Sequence, residues 1–133
     1  PIMADESCHT FEDLKLLVEL EAIDYVNIKI MKAGGILNSL RIAEICEIYG
    51  VPCQIGCMSE SSVSIAAGLH LAIASRGIKY SDLDGHLLLK EDPFMGLRFK
   101  DGANVLSGQP GLGVRINKGV LDKYQVAKLR FEV

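Results

Sequence analysis

A regular alternation of short apolar runs with longer segments of helical periodicity constrains the fold of this chain more than any other feature. The apolar runs have the length of buried strands, and the segments between them repeat apolar residues at helical spacing. The predicted strands are "PIMA" (1–4), "YVNIKI" (25–30), "VPCQIGC" (51–57) and "IKYSDLD" (78–84), and the predicted helices cover 10–22, 36–50 and 61–77. Four strands separated by three helices predict βαβ units and a parallel sheet with right-handed crossovers.

Single residues predict where the helices begin and end. Thr10 is suited to cap the first helix, and Gly50 and Gly77 are suited to end the second and third helices. The second helix is predicted to have one apolar face, formed by Leu37, Leu40, Ile45 and Ile48.

Composition and charge exclude several classes of protein. Hydrophobic residues make up 49% of the 133 residues, which is enough for one ordinary domain with a core. The net charge is -3 and the basic residues are scattered, which argues against nucleic acid or a membrane surface as a partner. No apolar run approaches the ~20 residues that span a bilayer, and no signal peptide opens the chain. Because the chain begins at Pro1 inside a predicted strand, we expect a preceding N-terminal part.

The cysteines provide no sign of a metal site or a disulfide framework. The chain has four, at Cys8, Cys46, Cys53 and Cys57, and none of the spacings matches a zinc ribbon or a C-x-x-C pair. Reduced thiols are typical of a cytoplasmic protein, so a cytoplasmic location is predicted.

Polar residues collect at the ends of the predicted strands. Asp5, Lys29, Glu60, Asp82 and Asp84 each lie at or just after the C-terminal end of a strand. These ends share one face of a parallel sheet, where (β/α)8 barrels build their active sites and open doubly wound sheets bind ligands. Since such barrels have roughly 250 residues, four strands correspond to half of one.

The pattern changes after residue 90. Residues 91–133 are rich in glycine and turn signals, with one short strand predicted around 97–99, and they predict a looped β extension. The segment "GQPGLGV" neither follows the strand of a βαβ unit nor opens a helix, so it does not qualify as a phosphate-binding loop. The long β tail also argues against an open flavodoxin-like sheet.

The first two strand ends carry a carboxylate and an amine. Asp5 is suited to bind Mg²⁺, which prefers oxygen ligands, although a helix-capping or solvated acid is the alternative. Strand alternation directs Lys29 away from the helices and into the interior of a barrel. A lysine near a metal and other cations is expected to have a lowered pKa and to act as a base, with a structural salt bridge as the alternative. Lys32 lies past the strand end and is predicted to make a loop contact.

The last two strand ends carry a thiol and three acids. Cys57 is either a nucleophile or a small lining residue, and Glu60 is either a site residue or a first-turn acid that faces a helix dipole. Asp82 and Asp84 are two residues apart, so their side chains point to the same face of a strand. Two adjacent carboxylates repel each other unless a metal, a lysine or a substrate ammonium compensates, and a solvated turn is the alternative.

Four segments together resemble the enolase superfamily, in its muconate lactonizing enzyme subgroup: "PIMADES", "NIKIMKAGG", "IGCMSES" and "PGLGV". Within that subgroup, "SDLDG" is similar to the dipeptide epimerases, whose best-known members act on L-Ala-D/L-Glu. The resemblance implies an α/β fold in which residues 1–90 form the C-terminal half of a modified (β/α)8 TIM-type barrel, strands five to eight. It also implies that residues 91–133 return to an α+β capping domain.

The resemblance implies a role for each of the strand-end residues. Asp5 matches the third acidic Mg²⁺ ligand, and Lys29 matches the catalytic lysine at the end of strand six. Cys57 matches a substrate contact, Glu60 matches a glutamate of the same loop, and Asp82 and Asp84 match the pair that binds the α-ammonium of a dipeptide. Two further metal ligands and a second lysine, in a K-x-K motif, are absent from residues 1–133.

The implied reaction is a Mg²⁺-dependent epimerisation by two bases. One lysine removes the proton α to a carboxylate, Mg²⁺ stabilises the enediolate, and the other lysine returns a proton to the opposite face. The implied partner is a small dipeptide of the L-Ala-L-Glu type, tied to cell wall recycling, and a homo-oligomer is compatible with the resemblance. The alternatives are an N-succinylamino acid racemase, an o-succinylbenzoate synthase or a cycloisomerase, and a non-catalytic α/β ligand-binding module.

Overall fold

The computed structural model describes residues 1–129 and contains one four-stranded parallel sheet in the order β1-β2-β3-β4. Its strands are β1 (Met3–Ala4), β2 (Tyr25–Lys29), β3 (Cys53–Gly56) and β4 (Ile78–Ser81). In the register of the sheet, Ala4 pairs with Val26 and Lys29 pairs with Gly56. The predicted parallel α/β fold is therefore confirmed, although every strand is shorter than predicted and β4 ends at Ser81 rather than at residue 84.

The helices connect the strands in the predicted order: α1 (Phe11–Glu19), α2 (Ile30–Ala33), α3 (Ile36–Tyr49) and α4 (Ser62–Ala74). Thr10 caps α1, as predicted, and Gly50 ends α3 in the left-handed conformation with φ 69°. Gly77 does not end α4, which stops at Ala74. It lies in the following turn, where a Cβ would approach the backbone oxygen of Ala43 to 2.5 Å.

The core lies between the sheet and the helices. Its largest fully buried apolar side chains come from α1, α3, α4 and the two central strands: Leu14, Ile42, Ile65, Val26, Ile28 and Ile55. The predicted apolar face of α3 is buried only in part, because Leu40 and Ile45 pack against the core whereas Leu37 and Ile48 are exposed. The helix is apolar on several sides, and its smaller residues, including Ser39 and Ala43, allow it to approach the sheet closely.

The segment after residue 84 forms short structures of its own. A 3-10 turn (Gly85–Leu88) precedes two antiparallel pairs, in which β5 (Phe94–Met95) pairs with β8 (Arg115–Ile116) and β6 (Arg98–Lys100) with β7 (Ala103–Val105). A short helix, α5 (Lys118–Tyr124), follows. Asp92 ties this segment to α4, because its Oδ2 accepts a hydrogen bond of 2.8 Å from the backbone N–H of Ser62. The domain boundary near residue 90 and the return to a capping domain stay predictions.

Two general features of the described residues complete the fold. All four cysteines are free thiols, and three of them, Cys8, Cys46 and Cys53, are buried in the core. Among residues 1–129, every helix is too short or too polar to cross a lipid bilayer.

Candidate active site

The ends of β1 and β2 bring a carboxylate and an amine into direct contact. Lys29 is the last residue of β2, and its Nζ lies 2.7 Å from Oδ2 of Asp5, which directly follows β1. Alternation along β2 buries Val26 and Ile28 on the helix side and leaves Lys29 on the other side of the sheet. The pairing follows from the parallel register, which places the carboxyl ends of adjacent strands side by side.

The Asp5 carboxylate accepts hydrogen bonds on both oxygens. Lys29 and the side-chain amide of Asn27 donate to Oδ2, the amide at 3.1 Å, and Lys32 donates to Oδ1 at 2.8 Å. Partial burial acts to raise the pKa of Asp5, but the hydrogen bonds from Lys29 and Lys32 outweigh it, so this pKa is lowered. Asp5 is therefore an anion at neutral pH with its oxygens held in place.

The pKa of Lys29 in the described residues is raised, opposite to the lowering that was predicted beside a metal and other cations. The hydrogen bond to Asp5 raises the pKa of Lys29, and it outweighs the opposing effect of burial. The charge of an acidic partner favours the ammonium form, whereas the prediction counted only cations around the amine. The salt bridge named as an alternative is thus present in the structure.

Lys32 is the site residue that sequence reasoning missed. It lies in the one-turn helix α2 rather than in a loop, and only 7% of its side chain is exposed. The ammonium donates to the Asp5 carboxylate, to the backbone oxygen of Asp5 and to the backbone oxygen of Asn27. A spacing of three between Lys29 and Lys32 is compatible with one helical turn, and this was the available signal.

The end of β3 forms a second contact pair with the segment after β4. The backbone N–H of Gly85 donates to Sγ of Cys57 at 3.3 Å, and that sulfur lies 3.7 Å from Oδ1 of Asp84. Burial raises the pKa of the Cys57 thiol, so the thiol is a poor nucleophile at neutral pH. A Cβ on Gly85 would overlap with the carbonyl oxygen of Met58, so the close approach of the two segments requires glycine here.

The two strand-end pairs are neighbours in the sheet. Gly56 pairs with Lys29 in the register, and Cys57 directly follows it. A Cβ on Gly56 would overlap with Oδ1 of Asn27, so a glycine at this position leaves room for the amide that binds Asp5.

The remaining candidate acids differ in their surroundings. Asp82 and Asp84 are both exposed and flank the buried Leu83. They were predicted to share one face of a strand, but β4 ends at Ser81 and both residues lie after it, so strand alternation does not determine their directions. Glu60 is buried and faces its own loop and α4, where it accepts hydrogen bonds from the Ser64 hydroxyl at 2.7 Å and from the backbone N–H of Met58 at 3.4 Å. These contacts tie Glu60 to its local structure and not to Lys29.

Two open pockets adjoin these residues. One of about 450 Å³ lies over the first pair and is lined by Asp5, Glu6, His9, Lys29, Met31, Lys32 and Met58. Another of about 430 Å³ lies beside Asp82 and Asp84, and the β6–β7 hairpin closes one side of it. Both have the size of small-molecule sites.

Asp5 is chemically suited to Mg²⁺, since it presents carboxylate oxygens at a strand end. Residues 1–129 contain no cluster of three His, Cys, Asp or Glu side chains that could complete a metal site.

A parallel βα sheet with an acid and two lysines at its strand ends is the arrangement found in α/β proteins that bind ligands at the carboxyl ends of their strands, in barrels and in open sheets. Comparison with known proteins identifies the family. The family model described as "Enolase C-terminal domain-like" matches residues 1–120, and the chain belongs to this family. The resemblance to the enolase superfamily is confirmed.

Three relatives illustrate the similarity. The L-Ala-D/L-Glu epimerase of Clostridium acetobutylicum is 46% identical over 115 residues, which is 86% of this chain and 32% of the relative. The structure of N-succinyl Arg/Lys racemase from Bacillus cereus superposes with a TM-score of 0.86 at 35% identity, over 96% of this chain and 34% of that one. The structure of the dipeptide epimerase from Methylococcus capsulatus, complexed with Mg and the dipeptide L-Arg-D-Lys, superposes with a TM-score of 0.80 at 42% identity. The match covers 85% of this chain and 32% of that one. The chain thus spans about a third of each relative's length.

Proposed function

We propose that this chain carries part of the active site of a Mg²⁺-dependent dipeptide epimerase, an isomerase that inverts the α-carbon of the C-terminal residue of L-Ala-L-Glu-like dipeptides. The observation that carries the proposal is the pairing of Lys29 with Asp5, 2.7 Å apart at adjacent strand ends. Relatives named L-Ala-D/L-Glu epimerase, and a relative's structure with Mg and a dipeptide, support it.

Lys29 is the base that this chain supplies. Lys29 lines the pocket of about 450 Å³ that lies over the Asp5–Lys29 pair. There its amine removes the proton from the α-carbon of one epimer and returns a proton to the other. Asp5 would hold Mg²⁺, which supplies positive charge beside the substrate carboxylate. The second lysine and the other metal ligands come from outside residues 1–133.

Asp82 and Asp84 account for the substrate class. These two exposed carboxylates line the second pocket, of about 430 Å³, and would provide negative charge for the α-ammonium group of a dipeptide. Cys57, whose sulfur lies 3.7 Å from Oδ1 of Asp84, is assigned to contact the same substrate. A succinyl carboxylate would be repelled by the same pair, which argues against an N-succinylamino acid racemase or o-succinylbenzoate synthase.

We propose that the enzyme acts in the cytoplasm, in cell wall recycling. Glu60 is assigned to support the loop between β3 and α4, and a homo-oligomeric assembly is part of the proposal.

Deuterium exchange tests this function. The full-length protein with Mg²⁺ in D₂O is offered a set of L,L-dipeptides including L-Ala-L-Glu, and mass spectrometry with chiral analysis follows the products. We expect uptake of one deuterium with inversion at the C-terminal residue. Exchange with N-acyl amino acids but with no dipeptide would replace the proposal by the racemase alternative.

A variant of Lys29 links the activity to the site. Lys29→Met should lower turnover by at least about 10²-fold, the usual contribution of a general base, because the methionine carries no proton. Lys15→Met is the matched control, since Lys15 lies on the exposed surface of α1, where it pairs with Glu19. Near-normal turnover by Lys29→Met would contradict the assignment of the base.

A further inference from the structure

Lys32 is a buried cation to which the proposed reaction assigns no step. Only 7% of its side chain is exposed, against 18% for Lys29. A lysine ammonium is among the groups least often buried, and its burial is tolerated only when its charge and its hydrogen bonds are satisfied. The residues that satisfy Lys32 therefore indicate its role.

All three donors of the Lys32 ammonium have acceptors within the candidate site. Nζ donates to Oδ1 of Asp5 at 2.8 Å, to the backbone oxygen of Asn27 at 2.8 Å and to the backbone oxygen of Asp5. The acceptors belong to the end of β1 and to β2, so one side chain joins the two strand ends. Gly34, with φ 79°, ends α2 two residues later and keeps this helix to a single turn.

The contacts of Lys32 make the two oxygens of Asp5 inequivalent. Oδ1 is bonded to a nearly buried ammonium, whereas Oδ2 is bonded to Lys29 and Asn27 on the side of the sheet where the proposed reaction takes place. A carboxylate held on one oxygen and through its own backbone carbonyl cannot rotate freely. The other oxygen, Oδ2, is therefore held in a fixed orientation.

We propose that Lys32 is a positioning residue that orients the Asp5 carboxylate, so that Oδ2 is presented to Mg²⁺ while Oδ1 stays bonded to the ammonium. The inference rests on the proposed function, because it takes Asp5 as a metal ligand. Groups that hydrogen-bond to a metal ligand commonly change metal affinity by about 10–100-fold when they are removed.

Charge and position predict opposite results for removal of Lys32. A cation close to Mg²⁺ repels it, so loss of the charge alone would strengthen Mg²⁺ binding. Loss of orientation would weaken Mg²⁺ binding, because Asp5 then has to be ordered when the metal binds. The direction of the change in affinity therefore separates a positioning role from a purely electrostatic one.

The experiment compares Lys32→Met with wild type in the full-length protein. Isothermal titration with MgCl₂, without dipeptide, measures the dissociation constant, and Lys15→Met is the control that removes an exposed lysine from an ion pair. We expect Lys32→Met to bind Mg²⁺ about 10–100-fold more weakly and Lys15→Met to match wild type. An unchanged or tighter dissociation constant for Lys32→Met would overturn the inference.

A second variant and a second readout keep the result unambiguous. If Lys32→Met does not fold, Lys32→Gln takes its place. The glutamine amide can still donate hydrogen bonds to the backbone oxygens, but it carries no positive charge to pair with the Asp5 carboxylate. Saturating Mg²⁺ should restore part of the turnover of the Lys32 variant and none of the turnover of Lys29→Met. Absence of turnover in the wild-type protein with every dipeptide would refute the proposed function, whereas wild-type activity with unchanged Mg²⁺ affinity in the variant would refute this inference alone.

Discussion

At the scale of single residues, Asp84 connects the candidate site to substrate choice. Its side chain is exposed, yet its Oδ1 lies 3.7 Å from the sulfur of Cys57. This contact holds the carboxylate at the pocket of about 430 Å³ that Asp82 and Asp84 line. Such an anchored carboxylate is suited to bind an ammonium group that arrives with the substrate. Gly85, which directly follows it, keeps the surrounding segments close together.

Asp84→Asn should raise KM for dipeptides with a free amino terminus by about tenfold or more, because a hydrogen bond to a charged group contributes about 1.5–3 kcal/mol. Steady-state kinetics with free and N-acylated dipeptides measure the change. Asp101→Asn, which alters an exposed acid in the turn between β6 and β7, is the control. An equal loss on N-acylated substrates would contradict the ammonium-binding role.

At the scale of elements, α1 begins with a reciprocal capping box. The Thr10 side chain accepts from the backbone N–H of Asp13, and the Asp13 carboxylate accepts from the backbone N–H groups of Thr10 at 2.8 Å and His9 at 3.0 Å. The hydrogen bond from the Thr10 backbone is the main cause of a lowered pKa for Asp13. The box places the start of α1 directly after the turn that carries Asp5.

The lowered pKa of Asp13 predicts a pH-dependent contribution to stability. A carboxylate with a lower pKa in the folded state stabilises the protein above its unfolded pKa of about 3.9, and this contribution is lost as the pH falls through the folded value. Asp13→Asn should therefore be less stable than wild type at about pH 6, and the two should converge towards about pH 3. Urea unfolding across this range measures the difference, with Glu12→Gln as the control. A difference that does not change with pH would contradict the prediction.

The helix α2 shows how one short element determines the site. It contains only four residues, Ile30–Ala33, which is too few for an apolar periodicity to be recognised. Its single turn places the Lys32 side chain over the ends of β1 and β2, where it contacts Asp5 and Asn27. If β2 continued as an extended strand instead, the Lys32 side chain would not reach these groups. The helix is therefore held by tertiary contacts and not by intrinsic helix propensity.

At the scale of the whole molecule, the described residues contribute one assigned Mg²⁺ ligand, Asp5. Asp5 is bonded to both Lys29 and Lys32, and residues 1–129 supply no cluster of three metal-ligating side chains. A single carboxylate is a weak site for Mg²⁺, which is held by several oxygens and its own water.

Residues 1–133 produced as a separate polypeptide should therefore show no saturable Mg²⁺ binding and no Mg²⁺-dependent deuterium exchange. The full-length protein is the control, and isothermal titration and mass spectrometry are the measurements. Saturable Mg²⁺ binding by the separate polypeptide, with an affinity similar to that of the full-length protein, would show that the site has ligands other than those assigned.

Much of the fold was predictable because it depends on local patterns. The four strands of the parallel sheet, the three longer helices and the caps at Thr10 and Gly50 follow from apolar periodicity and from the conformational preferences of single residues. The buried face of α3 was not predictable in this way. Its apolar residues surround the helix, and only the approach of the sheet decides which of them are buried.

By itself, the sequence determined the parallel α/β class and the position of Asp5, Lys29, Asp82 and Asp84 at strand ends, because both follow from the order of residues along the chain. The tertiary structure alone decided which polar groups are paired. It joined Asp5 to Lys29 and Lys32, raised the pKa of Lys29 and turned Glu60 towards its own loop. The interaction between two charges depends on the distance between them in space. Asn27 and Lys32 follow Asp5 by 22 and 27 positions in the sequence, and they become its neighbours only because the parallel strands align their ends.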